Sequence, residues 1–358
     1  MIQPSREEFN PWILFSSIVH RIGISLEKQT MEVALIKSYT DKPWRSPQTY
    51  QLIEESLQEK WPVRSIHTRD ADTLHRFLLD FNKESGGRMF VFNIAEYLDE
   101  DNKIAFLPAL LDEWCFPHLG SSGKVAAIGL DKERTKQLLD QHNIPTPRYF
   151  VARGQDASLA EQARRIGFPL FVKPLGEGGH IGISPDSIVH DQAGLAEAVS
   201  RNLEEYHQPA LVEEYIRGDG MREFSVGVID GECRLMAPVE IDYKAMHMQV
   251  PILDHEAAEN DLEQIMPVQD KKTEEKVIDL AQRTFEAVGA RDYSRVDIRM
   301  NASSCYVLEI NIMPGLGPHS FLPEAAYSNH CLEYGQLIQR LVETALLRRS
   351  SASQPIAV

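Results

Sequence analysis

Two short apolar segments near the carboxyl end of the chain each carry polar side chains at alternate positions. Residues 294–300 contain Arg295 and Asp297, and residues 305–312 contain Glu309 and Asn311. Alternate side chains of a strand share one face, so a strand pair here would present two carboxylates, an amide and a guanidinium on one side. Magnesium prefers a few oxygen ligands and completes its shell with water and nucleotide phosphates. The pattern therefore makes Asp297, Glu309 and Asn311 candidate metal ligands.

The same alternation also suits a solvated sheet face with a cross-strand ion pair. The segment that follows favours a catalytic site over a solvated sheet face. Residues 313–320 read Met-Pro-Gly-Leu-Gly-Pro-His-Ser. Glycines such as Gly315 allow backbone NH groups to approach a developing oxyanion closely.

A second constellation combines a lysine with a glycine-rich loop. Lys173 ends an apolar segment that begins at residue 168, and Glu177, Gly178 and Gly179 follow within a loop at 176–182. An ammonium group beside unencumbered backbone donors is a way to hold nucleotide phosphates. A tight turn is the alternative interpretation. The spacing matches neither a P-loop nor a dinucleotide-binding fingerprint.

Three further charged residues have both a surface and a functional interpretation. Lys132 opens a predicted helix and would by itself be an ordinary surface residue. Glu213 and Glu214 lie near the end of a predicted strand. They suit either a solvated hinge or contacts to an adenine amino group and ribose hydroxyls.

The elements that must position these residues follow from hydrophobic periodicity and turn signals. An amino-terminal α/β unit is followed by antiparallel-rich α+β structure, with a two-residue hairpin turn at Asp230-Gly231. A disordered, serine-rich tail is expected at 348–358. The predicted strands are 12–19, 89–94, 168–173, 210–216, 223–229, 232–241, 294–300 and 305–312, and the predicted helices are 47–61, 107–119, 131–141 and 334–347.

Bulk composition excludes several classes of protein. The 358 residues carry 37 Lys and Arg against 53 Asp and Glu, a formal charge of −16, which argues against general binding to nucleic acid or to an anionic membrane. The four cysteines form no CxxC pair, so neither a disulfide framework nor a zinc site is indicated. No apolar run approaches membrane-spanning length. A cytoplasmic location is expected.

Taken in order, several segments resemble the D-alanine:D-alanine ligase-like branch of the ATP-grasp superfamily. They extend over residues 90 to 346, and the first 90 residues match only in general pattern. The matching segments are Phe92 to Glu96, Pro117 to Ser122, Asp131-Lys132 with Thr135-Lys136, Phe168 to Pro174 with Glu177-Gly178, Leu211 to Ile216, Arg295 to Asp297, Glu309 to Asn311 and Met313 to Gly315.

The resemblance implies an ATP-grasp fold of three subdomains, residues 1–128, 129–218 and 219–347, with ATP between the second and the third. Two magnesium ions, which manganese can replace, would be held by Asp297, Glu309 and Asn311. The other implied roles are phosphate binding by Lys132, Lys173, Glu177, Gly178 and Gly179, adenine and ribose binding by Glu213, Glu214, Ile216 and Glu223, stabilisation of a tetrahedral intermediate by Arg295 and Gly315, and carboxylate binding by Ser320 beside His319.

The implied activity is ATP-dependent joining of a small-molecule carboxylate to an amine through an acyl phosphate, under lids formed by residues 176–182 and 243–267. A homodimer is a further expectation from the family.

Three departures from the family pattern favour a specialised biosynthetic ligase over cell-wall dipeptide synthesis. Gly179 and His180 replace two serines, and Met246 and His247 replace a lysine and a tyrosine. Basic residues at 20–25 stand where an acidic motif is expected. D-Alanine:D-alanine ligase activity and a non-catalytic nucleotide-binding role remain the alternatives.

Overall fold

The computed structural model describes residues 31–155, 157–248, 250–260 and 262–352. The strand predicted at 12–19 and the basic segment at 20–25 lie outside these residues. The described chain builds three larger sheets, one parallel and two antiparallel. The expected combination of α/β and α+β structure is therefore confirmed.

The amino-terminal unit is a three-stranded parallel sheet in the order β2-β1-β3 with helices on its faces. Four consecutive residues of β1 are buried, as expected for a strand covered on both faces. The predicted helix at 47–61 and strand at 89–94 are confirmed. The elements are β1 Glu32–Lys37, α1 Pro47–Gln58, β2 Val63–His67, α2 Ala71–Glu84 and β3 Met89–Phe92, with a 3-10 turn at Pro43–Arg45 before α1.

A small antiparallel ribbon and three helices connect this unit to the next. The helix predicted over 107–119 is wrong beyond residue 113, because Cys115 adopts a left-handed conformation with φ of 57° after the helix end. The expected subdomain boundary at 128/129 falls inside a helix. The elements are β4 Tyr97–Asp99, β5 Ile104–Phe106, α3 Leu107–Glu113, α4 Gly123–Leu130 and α5 Lys132–Gln141.

The central unit is an antiparallel sheet in the order β6-β9-β7-β8, packed against two helices. Its strand β7 ends at Pro174 and thereby positions Lys173 beside the glycine-rich loop. The predicted strands at 168–173 and 210–216 are confirmed. The elements are β6 Tyr149–Ala152, α6 Ala157–Ile166, β7 Leu170–Pro174, β8 Ile188–Val189, α7 Gln192–Glu205 and β9 Ala210–Glu214.

The carboxyl-terminal unit is a five-stranded antiparallel sheet in the order β12-β11-β10-β13-β14. Its strands are β10 Arg222–Ile229, β11 Leu235–Ile241, β12 Ile265–Pro267, β13 Tyr293–Met300 and β14 Cys305–Asn311. Its helices are α8 His255–Glu259, α9 Lys271–Val288, α10 Phe321–His330 and α11 Tyr334–Ala352.

Two predictions for this unit are wrong. Ile229 pairs with Leu235, so the loop between β10 and β11 has five residues rather than the two of a tight hairpin. The tail predicted to be disordered from residue 348 continues α11 to Ala352, and residues 353–358 lie outside the described chain. Arg348 explains the extra length, because its guanidinium pairs with the fully buried Asp292.

None of the helices in the described part of the chain combines the length and the apolar character needed to span a bilayer.

Candidate active site

Strands β13 and β14 place the predicted polar residues directly opposite one another. Arg295 pairs with Asn311, and Asp297 pairs with Glu309. The register shifts immediately afterwards, because Ile298 pairs with Val307 and Leu308 becomes the extra residue of a β-bulge. Simple alternation would turn Leu308 away from the site, but Leu308 contributes to the walls of both cavities described below.

Asp297 is held in place by four hydrogen bonds. Its Oδ1 accepts from Ser225 Oγ at 2.9 Å and from Arg295 Nε at 3.0 Å. Its Oδ2 accepts from Arg295 Nη2 at 2.7 Å and from Asn311 Nδ2 at 2.9 Å. Because Asn311 donates through its nitrogen, its amide oxygen is the end available to a cation.

Glu309 faces the cationic side of the site. Its Oε2 lies 3.7 Å from Lys173 Nζ. Burial alone would raise the pKa of Glu309, but the positive charges of Lys173 and Lys132 outweigh it and lower the pKa to about 2. The carboxylate is therefore ionised throughout the physiological pH range.

Lys132 and the glycine-rich loop are joined directly. Lys132 Nζ donates a hydrogen bond to the carbonyl of Glu177. The Glu177 carboxylate accepts from Lys103 Nζ and from Gln208 Nε2, each at 2.7 Å. These contacts fix the loop that carries Gly178 and Gly179 at the cavity wall.

Glu213 lies between two lysines. It is 3% exposed and pairs with Lys173 at 2.9 Å and with Lys136. Burial would raise the pKa of Glu213, but the two ammonium charges outweigh it and lower the pKa. Lys136, which sequence reasoning assigned no role, also donates to Thr146 Oγ1 at 2.6 Å.

Two adjoining cavities form the site, with volumes of about 320 and 60 Å³. Glu309, Leu308 and His180 contribute to both and so mark the junction. The larger cavity contains the predicted residues Lys132, Glu177, Gly178, Gly179, Arg295, Asn311, Gly315 and Ser320. The smaller cavity contains Lys173, Glu213, Glu214, Ile216, Glu223 and Asp297.

The smaller cavity has an apolar side and an acidic side. Ile216 is 3% exposed, and the carboxylate of Glu214 pairs with Arg148 at 2.9 Å. Glu223, on β10, is 7% exposed and lies beside Arg299. Arg299 received no role from the sequence, and the alternation Arg295, Asp297, Arg299 was the signal that could have indicated one.

The loop at residues 313–320, here called the oxyanion loop, lies against the amino-terminal unit. A Cβ added at Gly315 would lie 2.8 Å from Trp44 Cβ and 3.0 Å from Ser320 Oγ. A Cβ at Gly179 would lie 3.4 Å from Trp44 Cζ2. Trp44 therefore touches both the glycine-rich loop and the oxyanion loop, a contact that sequence reasoning missed.

One predicted site residue is not brought into the site. The His319 side chain is 75% exposed and lies 3.5 Å from Glu324, and it lines neither cavity. Ser320, the N-cap residue of α10, lines the larger cavity.

The oxygen atoms of Asp297, Glu309 and Asn311 suit a cation that completes its coordination shell with ligands from outside the protein. Within the described residues, no group of three or more His, Cys, Asp and Glu side chains is arranged to hold a metal ion. Two carboxylates and one amide oxygen nevertheless meet on one face of β13 and β14. Magnesium is commonly held by one or two carboxylates together with substrate phosphates. This arrangement is compatible with that pattern.

Comparison with known proteins gives matches over most of the chain. The sequence profile of the family described as D-ala D-ala ligase C-terminus matches residues 138–343. An uncharacterised protein of Sinorhizobium fredii is 33% identical over 320 residues, 85% of this chain and 89% of that protein. The D-alanine–D-alanine ligase of Chromohalobacter salexigens is 31% identical over 251 residues, 68% of this chain and 74% of that enzyme.

A solved structure shares the fold. The D-alanine–D-alanine ligase of Bacillus anthracis complexed with ATP superimposes with a TM-score of 0.69 at 21% sequence identity, covering 90% of this chain and 100% of that one. The profile match, the two relatives and the shared fold agree with the geometry of the site. The chain therefore belongs to the D-alanine:D-alanine ligase family of the ATP-grasp superfamily and is an ATP-dependent ligase.

Proposed function

We propose that this enzyme joins a small carboxylic acid to an amine in a specialised biosynthetic pathway, through an acyl phosphate, with release of ADP and phosphate. The observation that carries the proposal is the position of Glu309 where the two cavities meet. Lys173 lies on the side of the smaller cavity, and Arg295 and Gly315 lie on the side of the larger one. A phosphoryl group held near Glu309 would thus be next to the groups suited to stabilising an oxyanion.

The proposed reaction has two steps. In the first, an oxygen of the substrate carboxylate attacks the γ-phosphorus of ATP and ADP leaves, while the ammonium groups of Lys132 and Lys173 offset the phosphate charge. In the second, the amine attacks the acyl carbon, the bond from that carbon to the phosphate oxygen breaks, and phosphate departs. Arg295 and the backbone NH groups around Gly315 stabilise the tetrahedral oxyanion.

Asp297, Glu309 and Asn311 would hold two magnesium ions, which when bound supply charge neutralisation at the phosphates. Within the protein itself, Arg295 and Ser225 keep the Asp297 carboxylate in one orientation. Ser320 would receive the carboxylate of the second substrate. His319, with its exposed ring, would not.

The choice of a specialised substrate rests on the wall contributed by the amino-terminal unit. The loop between β1 and α1 places Trp44 and Arg45 in the larger cavity. Arg45 pairs with Glu96 and Glu100, so the acidic groups there are already partnered by a cation. Such a wall differs from an acidic site for the ammonium group of a small amino acid. A cytoplasmic enzyme, acting alone or as a homodimer without nucleic acid or membrane partners, is part of the same proposal.

D-Alanine:D-alanine ligation is the second candidate, because the Chromohalobacter relative has that name at 31% identity. A non-catalytic nucleotide-binding role is disfavoured, since Asp297, Glu309 and Asn311 are all present and face one another.

An assay of phosphate release from ATP in the presence of magnesium decides between these functions. Amino acids are tested alone and in pairs, and the products are identified by mass. Turnover with a pair other than D-alanine with itself is the expected result. Dipeptide formation from D-alanine alone would replace the specialised function by the second candidate. Absence of ATP binding would contradict both.

A further inference from the structure

Arg299 occupies the third of three alternate positions on one face of β13. Arg295 and Asp297 take the first two, beside the larger cavity and the metal ligands. Arg299 is opposite Glu223 in the register of β13 with β10. The two side chains are almost enclosed, at 5% exposure for Arg299 and 7% for Glu223. Burying a guanidinium at the wall of the smaller cavity is costly unless the group is paired.

The guanidinium of Arg299 contacts Met221, whose Sδ lies 3.4 Å from Nη2, and three residues around the smaller cavity. Its Nη1 lies 3.2 Å from Glu223 Oε2, and its Nη2 donates to the carbonyl of Pro251 at 2.5 Å and to Tyr215 Oη at 3.3 Å. The group also lies over the Tyr215 ring, 4.8 Å from its centre. Arginine presents five donors in a rigid fork, so one side chain can satisfy several acceptors at once.

Two of the three residues around the smaller cavity line it, and the third is next to its wall. Tyr215 and Glu223 line it directly, and Ile252 and Leu253, which follow Pro251, form another part of its wall. Arg299 therefore connects a residue of the sheet, a residue that follows β9, and the segment between β11 and α8.

We propose that Arg299 is a positioning residue of the nucleotide site: it orients the Glu223 carboxylate towards the ribose hydroxyls and fastens residues 250–253 against the same cavity. The inference rests on the proposed function, in that ATP binds across the two adjoining cavities with its ribose at the smaller one. A buried carboxylate without a counter-charge tends to become protonated. The protonated carboxyl group would then accept weaker hydrogen bonds from the ribose hydroxyls, because charge-assisted hydrogen bonds are roughly twice as strong as neutral ones.

The burial of Glu223 agrees with this role. Burial raises the pKa of Glu223, and the positive charge of Arg299 opposes that rise. Tyr243, which is close enough to bond the same carboxylate, is the remaining neighbour from the segment after β11.

The test compares binding of ATP with that of 2′,3′-dideoxy-ATP by titration calorimetry. The native protein should bind ATP at least about tenfold more tightly, the difference expected from hydrogen bonds to a charged group. In Arg299→Met the ATP affinity should fall about tenfold and the dideoxy affinity by less than about threefold, so the discrimination collapses. In Arg299→Lys, which restores the charge but reaches fewer acceptors, discrimination should be partly recovered.

Arg222→Met is the matched control. Arg222 is next to Glu223 on β10 but pairs with Glu240 and Asp270 outside both cavities. This variant also loses an arginine with two acidic partners, and it should retain the native discrimination between the two nucleotides. Equal loss in both variants would reduce the effect of Arg299 to general destabilisation and overturn the inference.

Hydrogen exchange of residues 250–255 provides a second measurement. ATP should slow exchange there in the native protein and in Arg222→Met, and much less in Arg299→Met. Retained discrimination together with retained protection in a folded Arg299 variant overturns the inference while ATP binding itself stands. If the native protein binds no ATP, the proposed function fails and this inference fails with it. If Arg299→Met does not fold, Arg299→Lys decides alone: discrimination and protection both equal to the native protein's overturn the inference.

Discussion

Glu213 is a buried anion between two buried cations, Lys136 and Lys173. Removing the anion should lower the stability of the fold more than removing one cation. Glu213→Gln leaves two buried ammonium groups with Glu309 as the nearest acidic neighbour, which should destabilise the fold by about 3–5 kcal/mol. Lys136→Met leaves the Glu213–Lys173 pair intact and should cost about half as much or less. Urea denaturation of both variants measures the difference.

The double variant Lys136→Met with Glu213→Gln checks the explanation. Because only Lys173 then remains, the double variant should be more stable than the sum of the two single losses predicts. Strict additivity would show that the two side chains do not interact.

The metal interpretation of Asp297 and Glu309 predicts loss of activity without loss of fold. Asp297→Asn or Glu309→Gln should lower ATP turnover by at least about 100-fold, since each removes an anionic ligand that the amide cannot replace. Steady-state phosphate release measures this. Asp186→Asn, which alters an 82% exposed side chain that lines neither cavity, is the control. Normal turnover in a folded Asp297 variant would contradict the assignment.

At the scale of single elements, the amino end of α9 combines a helix cap with an ion pair. Asp270 accepts from Thr273 N at 2.8 Å and pairs with Arg222 at 2.8 Å. The hydrogen bonds from Arg222 and Thr273 lower the pKa of Asp270 from 3.8 to about 2. A folded pKa below the unfolded one contributes stability above pH 4 that is lost as the pH falls towards 2.

Asp270→Asn keeps a capping oxygen and removes the charge. Its melting temperature should lie below that of the native protein at neutral pH, and the difference should vanish between pH 4 and pH 2. Thermal melts over that range test this, with Glu275→Gln in an exposed pair of the same helix as the control. A difference that persists at pH 2 would contradict a contribution from the ion pair.

Sequence patterns predicted the elements that carry the chemistry better than those that surround it. Strands β13 and β14 alternate clearly enough to identify Asp297, Glu309 and Asn311. The bulge at Leu308 has no sequence signal, because register depends on the partner strand. The role of Arg299 needs the register of β10 against β13, and the pairing of Glu213 with Lys136 needs tertiary packing. Helix α9 was missed although Asp270 and Gly289 are ordinary helix-end signals.

At the scale of the whole molecule, the amino-terminal unit closes a site that the other two units build. Trp44 lies against Gly315 and Gly179 on opposite sides of the larger cavity. Sequence reasoning placed the family's missing acidic motif at residues 20–25, which lie outside the described chain. Within the described chain, the loop between β1 and α1 reaches the cavity, because Trp44 and Arg45 contribute to its wall.

We therefore expect the Trp44 side chain to protect the acyl phosphate from water. Trp44→Ala should raise the ratio of phosphate released to ligated product above one, because water can reach the acyl phosphate and hydrolyse it. Parallel assays of phosphate and product, with whichever pair of substrates the native enzyme uses, measure the ratio. Trp44→Phe should restore much of the coupling.

Trp114→Ala is the control for loss of a large aromatic side chain, since Trp114 stacks on His75 within the amino-terminal unit, away from both cavities. It should leave the ratio near one. If Trp44→Ala still releases one phosphate for each ligated product, then other groups exclude water.

The pairing of Arg348 with Asp292 limits how far the chain can be shortened. Asp292 is fully buried, accepts from Arg348 Nε at 2.7 Å, and also accepts from the backbone of Gly120 at 2.8 Å. Cutting the protein after residue 347 would leave this carboxylate buried without its cation and loosen the contact between the carboxyl-terminal sheet and the segment before α4. Affinity tags and fusion partners should therefore be attached beyond Ala352, and a truncation that looks harmless in sequence should lower the yield of folded enzyme.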